Sequence, residues 1–162
     1  MKVLLIILII SVPFCQDKGQ KAYNNGNYDE ARAYYEYILK NRDHDLSANF
    51  GLGTTAYKQK DTESAINNLK KIIDSDDNNL ASKAFYNLAS IYSDQQNLEQ
   101  SLDFLKKSLE LNPNNEDAKV NFEILKQIVN QEQNQEQNQE QNQEQNQEQN
   151  QDQNQEQNYN PN

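Results

Sequence analysis

Asn87-Leu88-Ala89-Ser90-Ile91-Tyr92, then Leu98-Glu99-Gln100-Ser101-Leu102 and Leu105, closing on Ser108-Leu109-Glu110-Leu111-Asn112-Pro113, is the stretch whose reading decides the fold. It has two amphipathic helical halves with a short polar turn between them. A weaker copy lies upstream, with Leu52-Gly53, Ala56-Tyr57, Ala65, Leu69 and Ile72-Ile73. A third starts at Gly19 and runs through Ala22-Tyr23, Gly26, Tyr28, Ala31, Tyr35 and Ile38-Leu39. The copies are in register. Gly19, Gly53 and Ala89 are 34 and 36 residues apart, as are Ala31, Ala65 and Ser101, and Tyr35, Leu69 and Leu105. Small and large apolar positions recurring at a fixed period of this size describe stacked helix pairs. One pair cannot bury its own apolar stripe, so neighbours supply the rest of the core.

Working outward, each helix is placed by its period. The first pair is expected at about residues 17–24 and 28–40, the second at about 46–58 and 62–73, and the third at about 81–94 and 98–110. Asn25-Gly26-Asn27 is turn chemistry, because glycine and asparagine tolerate left-handed φ. Pro113 ends the third pair, since it cannot continue a helix. A seventh helix is predicted at about 116–129, with Ala118, Phe122, Leu125 and Val129 on one stripe. Asn121 lies 34 residues after Asn87, so this helix is half of a fourth repeat that covers the third.

Two flanking zones differ in composition. Residues 1–15 open with Lys2, run apolar from Val3 to Ile10 and reach Cys15, the only cysteine. A basic start and an apolar middle read as an export leader, or as a lipoprotein-type leader in which Cys15 is the candidate for lipidation. The apolar run is short of the roughly 20 residues that span a bilayer. With one cysteine no intrachain disulfide is expected. Residues 131–162 form a low-complexity tail that repeats Gln-Glu-Gln-Asn. It has no large apolar side chain up to Asn158 and cannot offset the entropy of ordering itself, so disorder is expected, with a frayed continuation of the preceding helix as the alternative.

Much of the net charge of -10 belongs to that tail, which carries seven acids and no base. The remainder stands at -3, with 15 bases interleaved among 18 acids. No basic stripe exists, which argues against nucleic-acid binding. Catalytic constellations are also missing from the pattern. His44 is the only histidine and lies in a polar break, Asp43-His44-Asp45, where solvent exposure is expected. Asp74-Ser75-Asp76-Asp77 lacks the glycine and closing glutamate of a calcium loop and reads as a solvated turn. No enzyme activity, metal or cofactor is expected.

These residues resemble the tetratricopeptide repeat. Gly53 and Ala89 match its small-residue site, Tyr92 its tyrosine before the turn, Gly26 its turn glycine and Tyr28 the aromatic that follows. Ala31, Ala65 and Ser101 match the small residue opening the second helix, and Pro113 the terminal proline. The chain departs from the pattern where Lys60 and Gln96 replace the turn glycine, where Asp43 and Asp77 replace proline, and in lacking tryptophan. The resemblance covers residues 16–130 and implies an all-α, right-handed solenoid: repeats at about 16–45, 46–81 and 82–115, then a capping helix at 116–130. It also implies a groove lined by the first helix of each pair. By matching position Gln16, Gln20, Tyr23, Phe50, Thr54, Tyr57, Lys58, Tyr86, Ser90 and Asp94 would face it. The chaperone-tail clamp of some such domains uses Lys and Asn where this chain has Gln16, Gln20, Thr54 and Ser90, so chaperone binding is not expected. A narrower resemblance rests on Leu109 through Glu123 followed by a Gln-rich tail, which is similar to the repeat proteins of bacterial aerotolerance (Bat) operons. It implies an envelope scaffold working beside von Willebrand factor A-domain proteins. The expected function is non-enzymatic protein binding at the membrane or in the periplasm. A self-assembling envelope subunit and an envelope enzyme with an unrecognised site are the rival readings.

Overall fold

The computed structural model describes residues 17–135. The expectations for residues 1–16, including Cys15 and Gln16, and for the tail from 136 onward lie outside the described residues. Every element among the described residues is helical: α1 (Lys18–Asn24), α2 (Tyr28–Asn41), α3 (Leu46–Lys58), α4 (Thr62–Lys70), α5 (Asn78–Asp94), α6 (Leu98–Leu111) and α7, described over 116–135. The chain divides into two compact units, the first holding α1–α4 and the second α5–α7.

Side-chain caps explain most helix starts. Asp17, Asp45, Asp61, Asp77 and Asn97 each accept the backbone N–H three residues on, satisfying one of the orphan donors of a first turn. Asn115 does the same for α7 through Ala118 N–H at 3.1 Å. The cap on Asp77 corrects one boundary: α5 begins at Asn78, not at 81, because Asp77 receives Leu80 N–H at 3.0 Å. α4 stops at Lys70 instead of 73, yet Ile72 remains buried in the turn that follows. α7 passes its expected end at 130, since nothing in Gln131-Glu132-Gln133 breaks a helix and Gln and Glu are good helix formers.

The three intra-pair turns share one geometry. Asn27 N–H donates to Ala22 O at 2.9 Å, Asp61 to Ala56 O at 2.9 Å and Asn97 to Tyr92 O at 2.9 Å. The preceding residue closes the inner ring in each case and is left-handed: Gly26 at φ +78°, Lys60 at +63° and Gln96 at +61°. This is the Schellman C-cap. Lys60 and Gln96, departures in sequence, do the work of the glycine in structure.

In the first unit the core centres on Tyr35 of α2. Its ring lies against Gly19 of α1 and Gly51 of α3, where a Cβ on Gly19 would come within 2.6 Å of Tyr35 Cζ and one on Gly51 would overlap the ring. Tyr35 O–H donates to Asp17 Oδ1 at 3.3 Å, and burial together with that carboxylate pushes its pKa well above the ordinary phenol value. Gly53 plays the expected small-residue part, with Leu69 Cγ 2.9 Å from where its Cβ would stand. In the second unit α5 and α6 meet through buried serines. Ser82 Oγ donates to Ser108 O and Ser108 Oγ to Ser82 O, each at 2.8 Å, and Ser101 Oγ donates to Ala89 O at 2.7 Å. Phe104 packs on Phe85 and Tyr92, with ring centroids 5.9 and 5.3 Å away.

Candidate functional site

A helix in such a pair has three faces to assign. In α5, Ser82, Phe85, Ala89 and Tyr92 meet α6 through the contacts just described. Leu88 and Ile91 are buried on a second face. Tyr86, Ser90 and Asp94, spaced by four, are left on a third face that is partly or fully exposed. The corresponding positions of α3 are Phe50, Thr54 and Lys58: the first two half-buried, Lys58 exposed. Gln20 of α1 is exposed as well.

The expected groove residues therefore reach solvent to different extents. Tyr23 is half-buried and stacks edge-on against Tyr28, centroids 5.5 Å apart; burial, then the neighbouring Tyr28, raises its pKa. Tyr57 is half-buried, and both it and Asp94 have interactions within the fold. Thr54 Oγ1 donates to Phe50 O at 3.0 Å, and Ser90 Oγ to Tyr86 O at 3.2 Å. Each hydroxyl thus spends its proton on its own helix and offers lone pairs outward.

The register extends one step beyond the expected set. Val120, Ile124 and Ile128 of α7 stand 34 residues after Tyr86, Ser90 and Asp94. They are 57, 52 and 38% exposed, an apolar stripe at helical spacing on a surface. Fully burying such a side chain is worth about 1.5–3 kcal/mol, so each leaves roughly 1 kcal/mol unrealised. The repeat register carries this signal in the sequence, but a buried stripe on the same helix masks it.

Ile124, Ile128 and Asn121 form one wall of a cleft in the second unit; Ser90, Ser93 and Asp94 of α5 form the other. Ala89, Ser101, Leu105 and Leu125 floor it, and its volume is about 290 Å³. The room comes from the small side chains on α5 and from Ser101. Asn121 Nδ2 donates to Tyr86 Oη at 3.3 Å, tying the two walls. The flank of α7 that corresponds to the α6-binding face of α5 is Glu116, Lys119, Glu123 and Lys126, all exposed. No further helix can pack on so charged a surface at low cost. α7 thus closes the array along its flank while its cleft face stays apolar.

In the first unit an ion-pair network fixes the α3–α4 turn. Arg32 of α2 donates to Asp61 Oδ2 at 2.9 Å, to Gln59 Oε1 at 3.1 Å and to Glu36 Oε1 at 2.8 Å, while Gln59 Nε2 donates to Asp29 Oδ1 at 2.7 Å. His44 is exposed, as expected from its polar surroundings, and faces Asp43 at 3.4 Å. Among the described residues no three His, Cys, Asp or Glu side chains gather as they would around a metal ion, and no helix is long and apolar enough to cross a membrane.

Helix pairs, left-handed turns and buried small residues at this period define a helical repeat built to present faces. Residues 17–79 and 82–115 both match the tetratricopeptide repeat, and the chain belongs to that family. Among solved structures it is similar to the first such domain of human RPAP3 (TM-score 0.64, 21% identity, covering 72% of this chain and 91% of that one). It is also similar to the first such domain of Spaghetti (RPAP3) bound to the HSP90 peptide SRMEEVD (TM-score 0.63, 21% identity, 69 and 87% covered). MamA is a third (TM-score 0.61, 24% identity, 71 and 66% covered). A curated relative, sperm-associated antigen 1 of Mus musculus, is 30% identical over 102 residues; the match takes in 63% of this chain and 11% of that protein's own length. Tetratricopeptide repeats are protein-interaction modules and generally carry no catalysis.

Proposed function

We propose that this chain is a non-enzymatic scaffold that holds segments of partner proteins, with one binding face on α3 in its first unit and a separate one, the α5–α7 cleft, in its second. The observation that carries the reading is the recurrence, in register, of side chains that are partly or fully exposed: Phe50-Thr54-Lys58, Tyr86-Ser90-Asp94 and Val120-Ile124-Ile128. A helix that served only to solubilise the end of the array would be polar on that face, as it is on its flank. Aromatic anchors such as Phe50 and Tyr86 dominate binding energy where they are desolvated by a partner.

The working place we assign is the cell envelope, on the strength of Lys2 and the apolar run Val3–Ile10 ahead of Cys15. Partners of the von Willebrand factor A-domain class in a Bat-type complex are the specific proposal, supported by the phrasing from Leu109 to Glu123.

Site-specific photo-cross-linking in the producing cell tests the binding reading. A photoreactive residue at Tyr86 or Ile124 is expected to trap one discrete protein, and one at Lys106 on the outer side of α6 is not. Equal trapping from all three positions, or none from Tyr86 and Ile124, would overturn it. Mass spectrometry of the mature N-terminus tests export: an intact Met1 leader in soluble cytoplasmic protein removes the envelope assignment.

A further inference from the structure

We propose that the α5–α7 cleft takes a basic amphipathic helix from another protein, seated with its apolar face on Val120, Ile124 and Ile128 and with a lysine or arginine directed to Asp94. The inference rests on the binding role proposed above and specifies the partner's chemistry. The apolar wall has side chains one helical turn apart, about 6 Å. A partner helix with apolar residues at i and i+4 matches that interval, which is the helix-in-groove mode of recognition.

Charge decides between occupants. Among the described residues, Asp94 is the one ionisable side chain lining the cleft. Around the apolar stripe α7 carries Asp117 and Glu132, both exposed. Its two lysines belong to the other flank: Lys119 Nζ pairs with Glu116 Oε1 at 2.7 Å, and Lys126 Nζ sits over the Phe122 ring at 5.8 Å. On α5, Lys83 stands one turn before Tyr86, at the register position of Asp117, and so balances the head of the cleft alone. The surround is acidic, and an acidic helix meets like charge there. A second copy meets the same obstacle. Antiparallel pairing of two α7 helices about Ile124 sets Glu116 opposite Glu132 of the other copy, carboxylate on carboxylate. The chain's own tail, rich in Gln, Asn and Glu up to Asn158, has no large apolar side chain with which to fill the stripe.

Two fluorescein-labelled synthetic helices serve as probes: one with leucine and isoleucine on one face and lysine on the other, and a counterpart with every lysine replaced by glutamate. Anisotropy titrations use the purified chain, Ile124→Ser/Ile128→Ser and Asp94→Asn. The lysine helix is expected to bind at least about tenfold more tightly than the glutamate helix, since like-charge juxtaposition suppresses wrong partners. The serine variant, which keeps every charge of the protein, is expected to weaken it by about tenfold or more through loss of the apolar anchors. Asp94→Asn should narrow the preference for lysine severalfold. Far-UV circular dichroism checks that the variants stay folded; both isoleucines are surface residues.

Lysine-helix binding that ignores the serine substitutions places the contact elsewhere, on the acidic tail for instance, and overturns the proposal. Equal binding of the two helices, or preference for glutamate, overturns the partner chemistry while leaving a segment-binding cleft intact. Absence of binding by either helix also overturns it, and the photo-cross-links then tell whether the segment-binding reading itself survives. A dimer in sedimentation that the serine variant dissociates would assign the stripe to a second copy instead.

Discussion

Gly51 shows how much one missing methylene can decide. A glycine inside a helix ordinarily costs about 1 kcal/mol relative to alanine. Here the space its Cβ would fill belongs to the Tyr35 ring, which Gly19 flanks as well. Gly51→Ala is therefore expected to destabilise by about 1–3 kcal/mol, the usual range for forcing volume into a packed core. In a Tyr35→Ala background, with the ring removed, the same substitution is expected to be neutral or stabilising. A double-mutant cycle read by thermal or urea unfolding checks both signs; additive effects of the two changes would refute the packing account. The sequence gives Tyr35 a core role by its period. It offers no reason to pair that ring with Gly51, because the spacing of 16 residues reflects how α2 lies on α3.

At the scale of elements, the turns repeat more faithfully than their residues do. Gly26 meets the left-handed backbone without strain, whereas Lys60 and Gln96 hold it at a cost of order 1–3 kcal/mol. Glycine returns part of that gain through its larger freedom in the unfolded chain. Lys60→Gly and Gln96→Gly are each expected to raise stability by roughly 1 kcal/mol, about 4–8 °C in the thermal midpoint of a domain near this size. Gly26→Ala should lower it comparably. The α3–α4 turn carries a second device. Asp61 is held below the ordinary carboxylate range, chiefly by the Ser64 backbone N–H it caps and then by the Arg32 guanidinium. A carboxylate with a depressed folded pKa contributes stability above its unfolded pKa and loses it as pH falls through the folded one. The wild type is thus expected to lose an Asp61-dependent part of its stability as pH drops below about 4, near the unfolded value. Asp61→Asn should flatten that portion of the curve while keeping the helix cap. An unchanged acid profile in the variant would show that neither the charge on the Ser64 cap nor the pairing with Arg32 contributes measurably, as for many solvent-exposed pairs.

For the whole molecule, one period predicted an all-helical chain of three pairs and a closing half-repeat, and the helices stand where it put them to within a few residues. The misplaced ends have local causes. Asp77 caps α5 early, Lys70 ends α4 early, and the Gln-rich continuation of α7 lacks a breaker. The candidate site was legible in part. Tyr86, Ser90 and Asp94 were marked by matching register, whereas Val120, Ile124 and Ile128 went unmarked because apolar residues on a last helix read most simply as core. The sequence by itself determined the repeat, the helix faces and the acidic, polar character of the tail, since these depend on periodicity and composition within a few turns of chain. Only the tertiary structure decided which apolar stripe of α7 is buried and which is bare, that two non-glycine residues take up the left-handed turn, and that small side chains on α5 and α6 open a cleft opposite that bare stripe. Those outcomes depend on which surfaces meet across tens of residues, and contact at that distance is settled by packing, which no local pattern encodes.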